Sequence, residues 1–298
     1  MLGVGGGILV GLSRTERPAD LDSVVQLSTD LTRDASQVGM ALTRISDQQE
    51  TEIGHEIEAK IARSGWLKHD STLQAYVAAV ARPLTEHTRR KAIAYRFFVI
   101  ESPAINAFAI SGGGIYVTTG MLDFLQSEAE LAVVLGHEIS HVDLKHCVEQ
   151  LQYKVAARKI GGDDLAAIAS LASRLVGIGF SKQQELEADA GGAILAAEAG
   201  YDPRAANVAF ERLSRLKPTE RPERPTLMVG EVAVALGKAL EQYFATHPPT
   251  EERIRELARV DARNARVWRG RTFYDGRWNY QERIPRSRTD QPAERRTY

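Results

Sequence analysis

The stretch LAVVLGHEISHVDLKH, residues 131–146, decides how this chain is read. His137 and His141 stand four apart, so on a helix they share one face and can close on a single metal ion, with Glu138 beside them. Zinc is the expected metal: two neutral imidazoles and one carboxylate leave a fourth position for water, whose proton Glu138 can take. The flanking Leu131, Val133, Val134, Leu135 and Ile139 give an apolar body suited to a helix at the centre of a domain. Ser127 followed by Glu130 offers that helix a capping box. His146 lies nine residues beyond His137, roughly half a turn away around a continuous helix, which argues against it as a ligand. Cys147, on the same helix, reads as a small packing residue.

An H-E-x-x-H pattern also occurs in helices that bind nothing, so a third ligand has to come from elsewhere in the chain. FSKQQELEADAGG, residues 180–192, supplies it. Glu185 and Asp189 are again four apart and face the same way. Glu185 can bind the metal while Asp189 accepts the second ring N–H of a ligand histidine and fixes its tautomer. Glu187 points elsewhere. The small residues Ala188, Ala190, Gly191, Gly192 and Ala193 let this helix approach the first one closely, a face that a solvated acidic helix does not need.

With 298 residues, 43% hydrophobic and 26% charged, the chain can bury one sizeable core, which is enough for one catalytic domain with extensions. A net charge of -1 predicts no general attraction to nucleic acid or to anionic membrane. The single cysteine excludes an internal disulfide framework and a cysteine-rich zinc site, so a metal must be held by His, Asp or Glu. The apolar, glycine-rich run Leu2–Leu12 is too short for a membrane helix and lacks a basic start. Two readings of it stand side by side: the trailing part of an export signal, or a flexible arm.

Residues 20–63 read as helix with a cap at Ser46 and Asp47, and residues 70–84 as another helix with Leu73, Tyr76, Val77 and Val80 on one stripe. His55, His69 and His87 fall here without a partner motif and read as surface or packing residues. YRFFVIES, NAFAI and IYVTTG then read as two or three strands ahead of the metal helix. Gly114, Ile115, Tyr116, Val117 and Thr118 are expected at a sheet edge, where an extended peptide could add itself as one more strand over the metal. Residues 165–180 suit a short buried helix rather than a membrane span, and no transmembrane span is expected anywhere. Beyond Gly200 an amphipathic helix leads into the proline-rich linker KPTERPERPT, either a lid or a passive connection, and residues 227–244 read as helix. The tail from Asp261, rich in arginine and aromatics, suggests a hairpin around Asp275 and Gly276, a disordered end, and docking on the catalytic domain or a partner protein rather than on nucleic acid.

NAFAISGGGIYVTTGML, ELAVVLGHEISHV, ELEADAGG with AGYDPRAA just after it, and THPPTEERI occur in one order across about residues 47–260. In that order they resemble the gluzincin metallopeptidases that include HtpX, the CaaX prenyl proteases and the soluble BepA-like proteins. The resemblance implies an α+β, predominantly helical zincin domain over residues 47–260 with a small sheet whose edge strand lines the site. Residues 1–46 precede it as an apolar arm and helix, and residues 261–298 follow as an extension. It implies one zinc held by His137, His141 and Glu185, with Glu138 as general base and Asp189 behind the ligands. It also points to His247 and Arg253 as groups near the zinc, where either could share the charge developing on the carbonyl. In a rival role, His247 takes the open zinc position and holds the enzyme latent.

The expected activity is therefore a zinc endopeptidase acting on extended or misfolded polypeptide. The absence of a membrane span favours the soluble BepA-like branch, with its association with envelope quality control and assembly partners, and hence the periplasm or cell envelope, with the cytoplasm as the alternative. A reading from another class is a chaperone-like binding protein with a latent zinc site.

Overall fold

The computed structural model describes residues 44–157, 164–173, 179–215, 247 and 251–298. The readings made for residues 1–43, the linker at 217–226 and the helix at 227–244 lie outside the described residues. The first helix, α1 (Asp47–Arg63), starts where Ser46 and Gln49 cap each other reciprocally, and buries Ile53, Ile57 and Ile61 at helical spacing. Asp70 caps α2 (Ser71–Thr85) by accepting from the Leu73 amide, and Tyr76, Val77, Val80, Ala81 and Leu84 form its core face. His55, His69 and His87 are all exposed, as expected.

Three strands follow: β1 (Arg96–Ile100), β2 (Ala107–Ala109) and β3 (Gly114–Thr118). They form one sheet in the order β1-β3-β2, with β1 parallel and β2 antiparallel to β3. Gly112 and Gly113 turn the chain between β2 and β3 at φ 86° and 94°, a region costly for residues with a Cβ. The expectation that residues 114–118 form the edge is corrected here. β3 is the central strand, paired on both sides and buried at every position. A run that is apolar at both odd and even positions is covered on both faces, and such strands sit inside sheets rather than at their margins.

The edge toward the metal helix is instead β2. Thr118 N donates to Asn106 O (3.0 Å) and Ile110 N to Gly114 O (2.9 Å), so residues 106, 108 and 110 face β3 and the amides and carbonyls of Ala107 and Ala109 face away.

Thr118 caps the short α3 (Thr119–Phe124), which delivers the chain to α4 (Glu128–Asp143). Every residue of α4 from Glu128 to Val142 is buried, so the H-E-x-x-H helix is the axis of the domain. Ser127 caps it through Glu130 N, but the capping box is incomplete: the Glu130 side chain accepts from Gln126 N instead. α4 does not run on to His146. Lys145 takes φ 69° and a new helix, α5 (His146–Ala157), begins, carrying the buried Cys147. α6 (Leu165–Ser173), α7 (Lys182–Glu198) and α8 (Ala205–Ser214) follow, and α7 packs along α4. The approach is set by glycine: a Cβ on Gly192 would stand 2.7 Å from His137 N, and one on Gly136 2.9 Å from Gly192 O.

The C-terminal residues form α9 (Glu251–Trp268), β4 (Thr272–Tyr274), α10 (Arg277–Glu282) and β5 (Arg295–Thr297). β4 and β5 do pair antiparallel, but the connection between them is long and contains α10, and the last residues are a strand rather than a disordered end. This segment docks on the catalytic core. Trp268, Phe273, Tyr274 and Tyr280 join the same hydrophobic cluster as α4, and the carbonyls of Gly276 and Asp275 accept from Glu128 N (3.2 Å) and Ala129 N (3.0 Å). The extension thus satisfies amides of the first turn of α4 that have no acceptor within the helix. Among the described residues no helix is long and apolar enough to cross a membrane.

Candidate metal centre

α4 and α7 bring the two motif faces together. His137, His141, Glu185 and His247 each offer a ligand atom, all within 4.8 Å of one another, and all four residues are buried. The Nε2 atoms of His137 and His141 are 3.1 Å apart, and Glu185 oxygens lie 3.6 Å from each. Atoms bound to zinc at about 2.0–2.1 Å in a tetrahedron stand roughly 3.3 Å from one another, so these spacings fit one ion.

The donor chemistry fits as well. His137 Nδ1 is 2.9 Å from Asp189 Oδ1, and an acidic partner there requires the N–H. The Nε2 of a neutral His137 therefore presents a lone pair, and it faces a second imidazole nitrogen and a carboxylate. A buried group of acceptors turned toward one another is suited to hold a cation.

Electrostatics follow from this arrangement. Burial works against ionisation of Asp189 and Glu185, yet Arg253 and His137 for the first, and His247, His137 and Arg253 for the second, hold both pKa values below the ordinary range. Burial drives His141 well below its usual value, keeping its ring neutral, as a ligand must be. His137 is also desolvated, but its bond to Asp189 outweighs this and its pKa is raised. Glu138 is fully buried, neither of its oxygens has a hydrogen-bond partner among the described residues, and burial raises its pKa. That is the state of a carboxylate able to receive a proton.

His247 falls inside the ligand group, with Nδ1 2.8 Å from Glu185 Oε1 and 3.4 Å from His137 Nε2, and Nε2 3.8 Å from Glu138 Oε1. Arg253 lies beside the ligand group, as the resemblance implies. Its Nε and one terminal nitrogen contact Asp189 at 2.7 Å each, and the other terminal nitrogen lies 3.0 Å from Glu185, so its fork is turned onto the two carboxylates. Gly114, Ile115, Tyr116, Val117 and Thr118 lie on the central strand, one strand removed from either edge.

Two partners of His141 were not read from the sequence. Phe180 stacks on its ring at a centroid distance of 3.8 Å and an angle of 15°. His146 Nδ1 lies 3.0 Å from His141 Nδ1. The signal for His146 was the histidine itself, discounted because helical periodicity was carried through a point where the helix breaks.

The profile of peptidase family M48 matches residues 68–261. The chain is 32% identical to the mitochondrial metalloendopeptidase OMA1 of Arabidopsis thaliana over 61% of this chain and 34% of the relative. It is 29% identical to the beta-barrel assembly-enhancing protease of Escherichia coli over 74% of this chain and 44% of the relative. With the metalloprotease LoiP of Escherichia coli it shares 28% identity over 58% of this chain and 69% of the relative. The aligned region thus spans less than half the length of the first two relatives.

Proposed function

This chain belongs to peptidase family M48, and from that premise we propose that it is a zinc metalloendopeptidase cutting extended polypeptide at the His137–His141–Glu185 centre. The observation that carries this reading is the buried group of acceptors beside Glu138, whose oxygens have no hydrogen-bond partner among the described residues. His137, His141 and Glu185 would hold a zinc ion, which would supply Lewis acidity for the scissile carbonyl and for a bound water molecule. Glu138 takes the proton from the attacking water and later delivers it to the leaving amine. Asp189 holds His137 by its Nδ1–H, and Arg253 holds Asp189 and Glu185, so the ligand face is rigid before substrate arrives.

The substrate strand lies along β2. The amides and carbonyls of Ala107 and Ala109 turn away from β3; Ala107 is fully buried and Ala109 half-buried, so Ala109 is the point where an extended peptide can join, and β2 packs against α4, so a bound strand runs past the catalytic helix.

His247 gives this form a latent character. Its place among the ligand atoms supports its serving as a fourth ligand, which would then have to give way to water and substrate. The name of one relative, the beta-barrel assembly-enhancing protease of Escherichia coli, supports a role in envelope protein quality control, in the periplasm or at the cell envelope. The rival reading, a chaperone-like binder with a blocked zinc site, draws on the same position of His247.

Zinc content and cleavage of unfolded casein, measured for wild type, Glu138→Gln and His247→Ala, separate these readings. The peptidase reading expects about one zinc per chain, no cutting by Glu138→Gln despite bound zinc, and faster cutting by His247→Ala. Zinc bound by all three with no cutting by any of them, together with retained binding of unfolded casein, overturns it in favour of the binding protein.

A further inference from the structure

The two histidines of the H-E-x-x-H motif are backed differently. Behind His137 stands a buried carboxylate, Asp189, itself gripped by Arg253. Behind His141 stands another imidazole: His146 Nδ1 is 3.0 Å from His141 Nδ1, and His146 Nε2 is 3.2 Å from Glu187 Oε2. His146 is 2% exposed, whereas the Glu187 side chain is 46% exposed and is steadied by Gln183 Nε2 at 2.7 Å.

We propose that His146, oriented by Glu187, is the positioning residue for His141. The inference rests on the reading that His141 binds zinc through Nε2. In that role His141 must carry its proton on Nδ1, and among the described residues the hydrogen-bond partner of Nδ1 is His146 Nδ1, so His146 accepts there. An imidazole that accepts on Nδ1 is neutral and protonated on Nε2, the atom that faces Glu187. One ordered chain of donors results: His141 to His146, His146 to Glu187. Phe180 closes the other degree of freedom by stacking flat on the His141 ring. The break of the helix at Lys145 is what makes this possible, because a continuous helix would carry residue 146 away from residue 141's Nδ1.

The consequence is an unequal pair of ligands. His137 is polarised by an anion, His141 by a neutral ring with a half-exposed anion beyond it, so His141 is the weaker donor and the in-plane setting of its ring depends on one neutral hydrogen bond.

The test measures zinc affinity by chelator competition, without reference to catalysis, for wild type, His141→Ala, His146→Phe and His146→Asn. Phenylalanine keeps the ring but has no acceptor, while asparagine Oδ1 falls where Nδ1 was. We expect a loss of about 10- to 100-fold for His146→Phe and recovery of most of it by His146→Asn. Equal affinity of the two variants, whether both near wild type or both far below it, overturns the proposal while wild-type zinc binding and its loss in His141→Ala leave the metal reading intact. Absence of zinc binding by wild type, or unchanged binding by His141→Ala, removes the metal reading and the proposal with it. Should His146→Phe not fold, long-range nitrogen–proton NMR of the zinc-loaded wild type decides: His146 protonated on Nε2 alone supports the chain, and protonation on Nδ1 overturns it.

Discussion

Replacing Gly192 by alanine puts the relation between helix packing and metal binding to a direct test. The added Cβ would stand 2.7 Å from His137 N and 3.1 Å from Gly136 C and His137 Cα, all of them backbone atoms that cannot rotate away. Ordinary contact begins near 3.4 Å, so α7 has to retreat from α4 by roughly 0.7 Å at this point. Glu185 sits two turns earlier on the same helix and moves with it, while both histidine ligands stay on α4. Metal–ligand distances tolerate only about 0.2 Å, so Glu185 must rebuild its rotamer or lose its bond, and zinc affinity is expected to fall by at least about 10-fold. Stability moves less. Overpacking costs about 1–3 kcal/mol, and the better helix propensity of alanine returns about 1 kcal/mol. The assay is chelator competition for zinc alongside thermal melts with and without the metal. The expected pattern is an apo midpoint lowered by a few degrees and a much smaller stabilisation by zinc than in wild type. Wild-type zinc affinity in Gly192→Ala would refute the claim that the glycine contact sets the ligand geometry.

Glu128→Gln is expected to flatten the pH dependence of stability. Burial raises the Glu128 pKa from 4.5 to about 7, so the folded state holds this proton more tightly and stability is lost as pH rises between those values. The loss amounts to about 3 kcal/mol, so the variant should match wild type near pH 5 and exceed it near pH 8 in urea titrations; an equal gain at both pH values would remove the explanation. Arg253→Ala leaves Asp189 and Glu185 buried without their cation, and denaturant melts should show a loss of about 3–5 kcal/mol together with weaker zinc binding. Ala109→Pro removes an amide that faces away from β3, so the sheet should survive while casein cleavage falls through a raised KM; an unchanged KM with the midpoint preserved would rule out β2 as the substrate edge. Tyr280→Phe removes the donor to Leu122 O between the extension and the core, with an expected cost of about 1 kcal/mol in thermal melts.

What the sequence determined by itself is which residues share a face of one unbroken helix. Spacing of four placed His137 with His141, and Glu185 with Asp189, because an α-helix returns to the same face at that interval. The small residues at 188 and 190–193 announced a close helix contact, and the structure has it between Gly192 and Gly136. Predominantly helical character with a small sheet was equally legible. What only the tertiary structure decided is pairing across the chain. An apolar strand says that both its faces are covered but not which strands flank it, so residues 114–118 turned out central and Ala107–Ala109 became the edge. Arginine attracts any anion within reach, and only the packing of α9 against α7 settled that Arg253 holds Asp189 and Glu185. The break at Lys145, invisible to periodicity because no proline or glycine marks it, returned His146 to His141. The extension's carbonyls reached the first turn of α4 through contacts more than a hundred residues apart in the chain, and local propensity carries no information about such contacts.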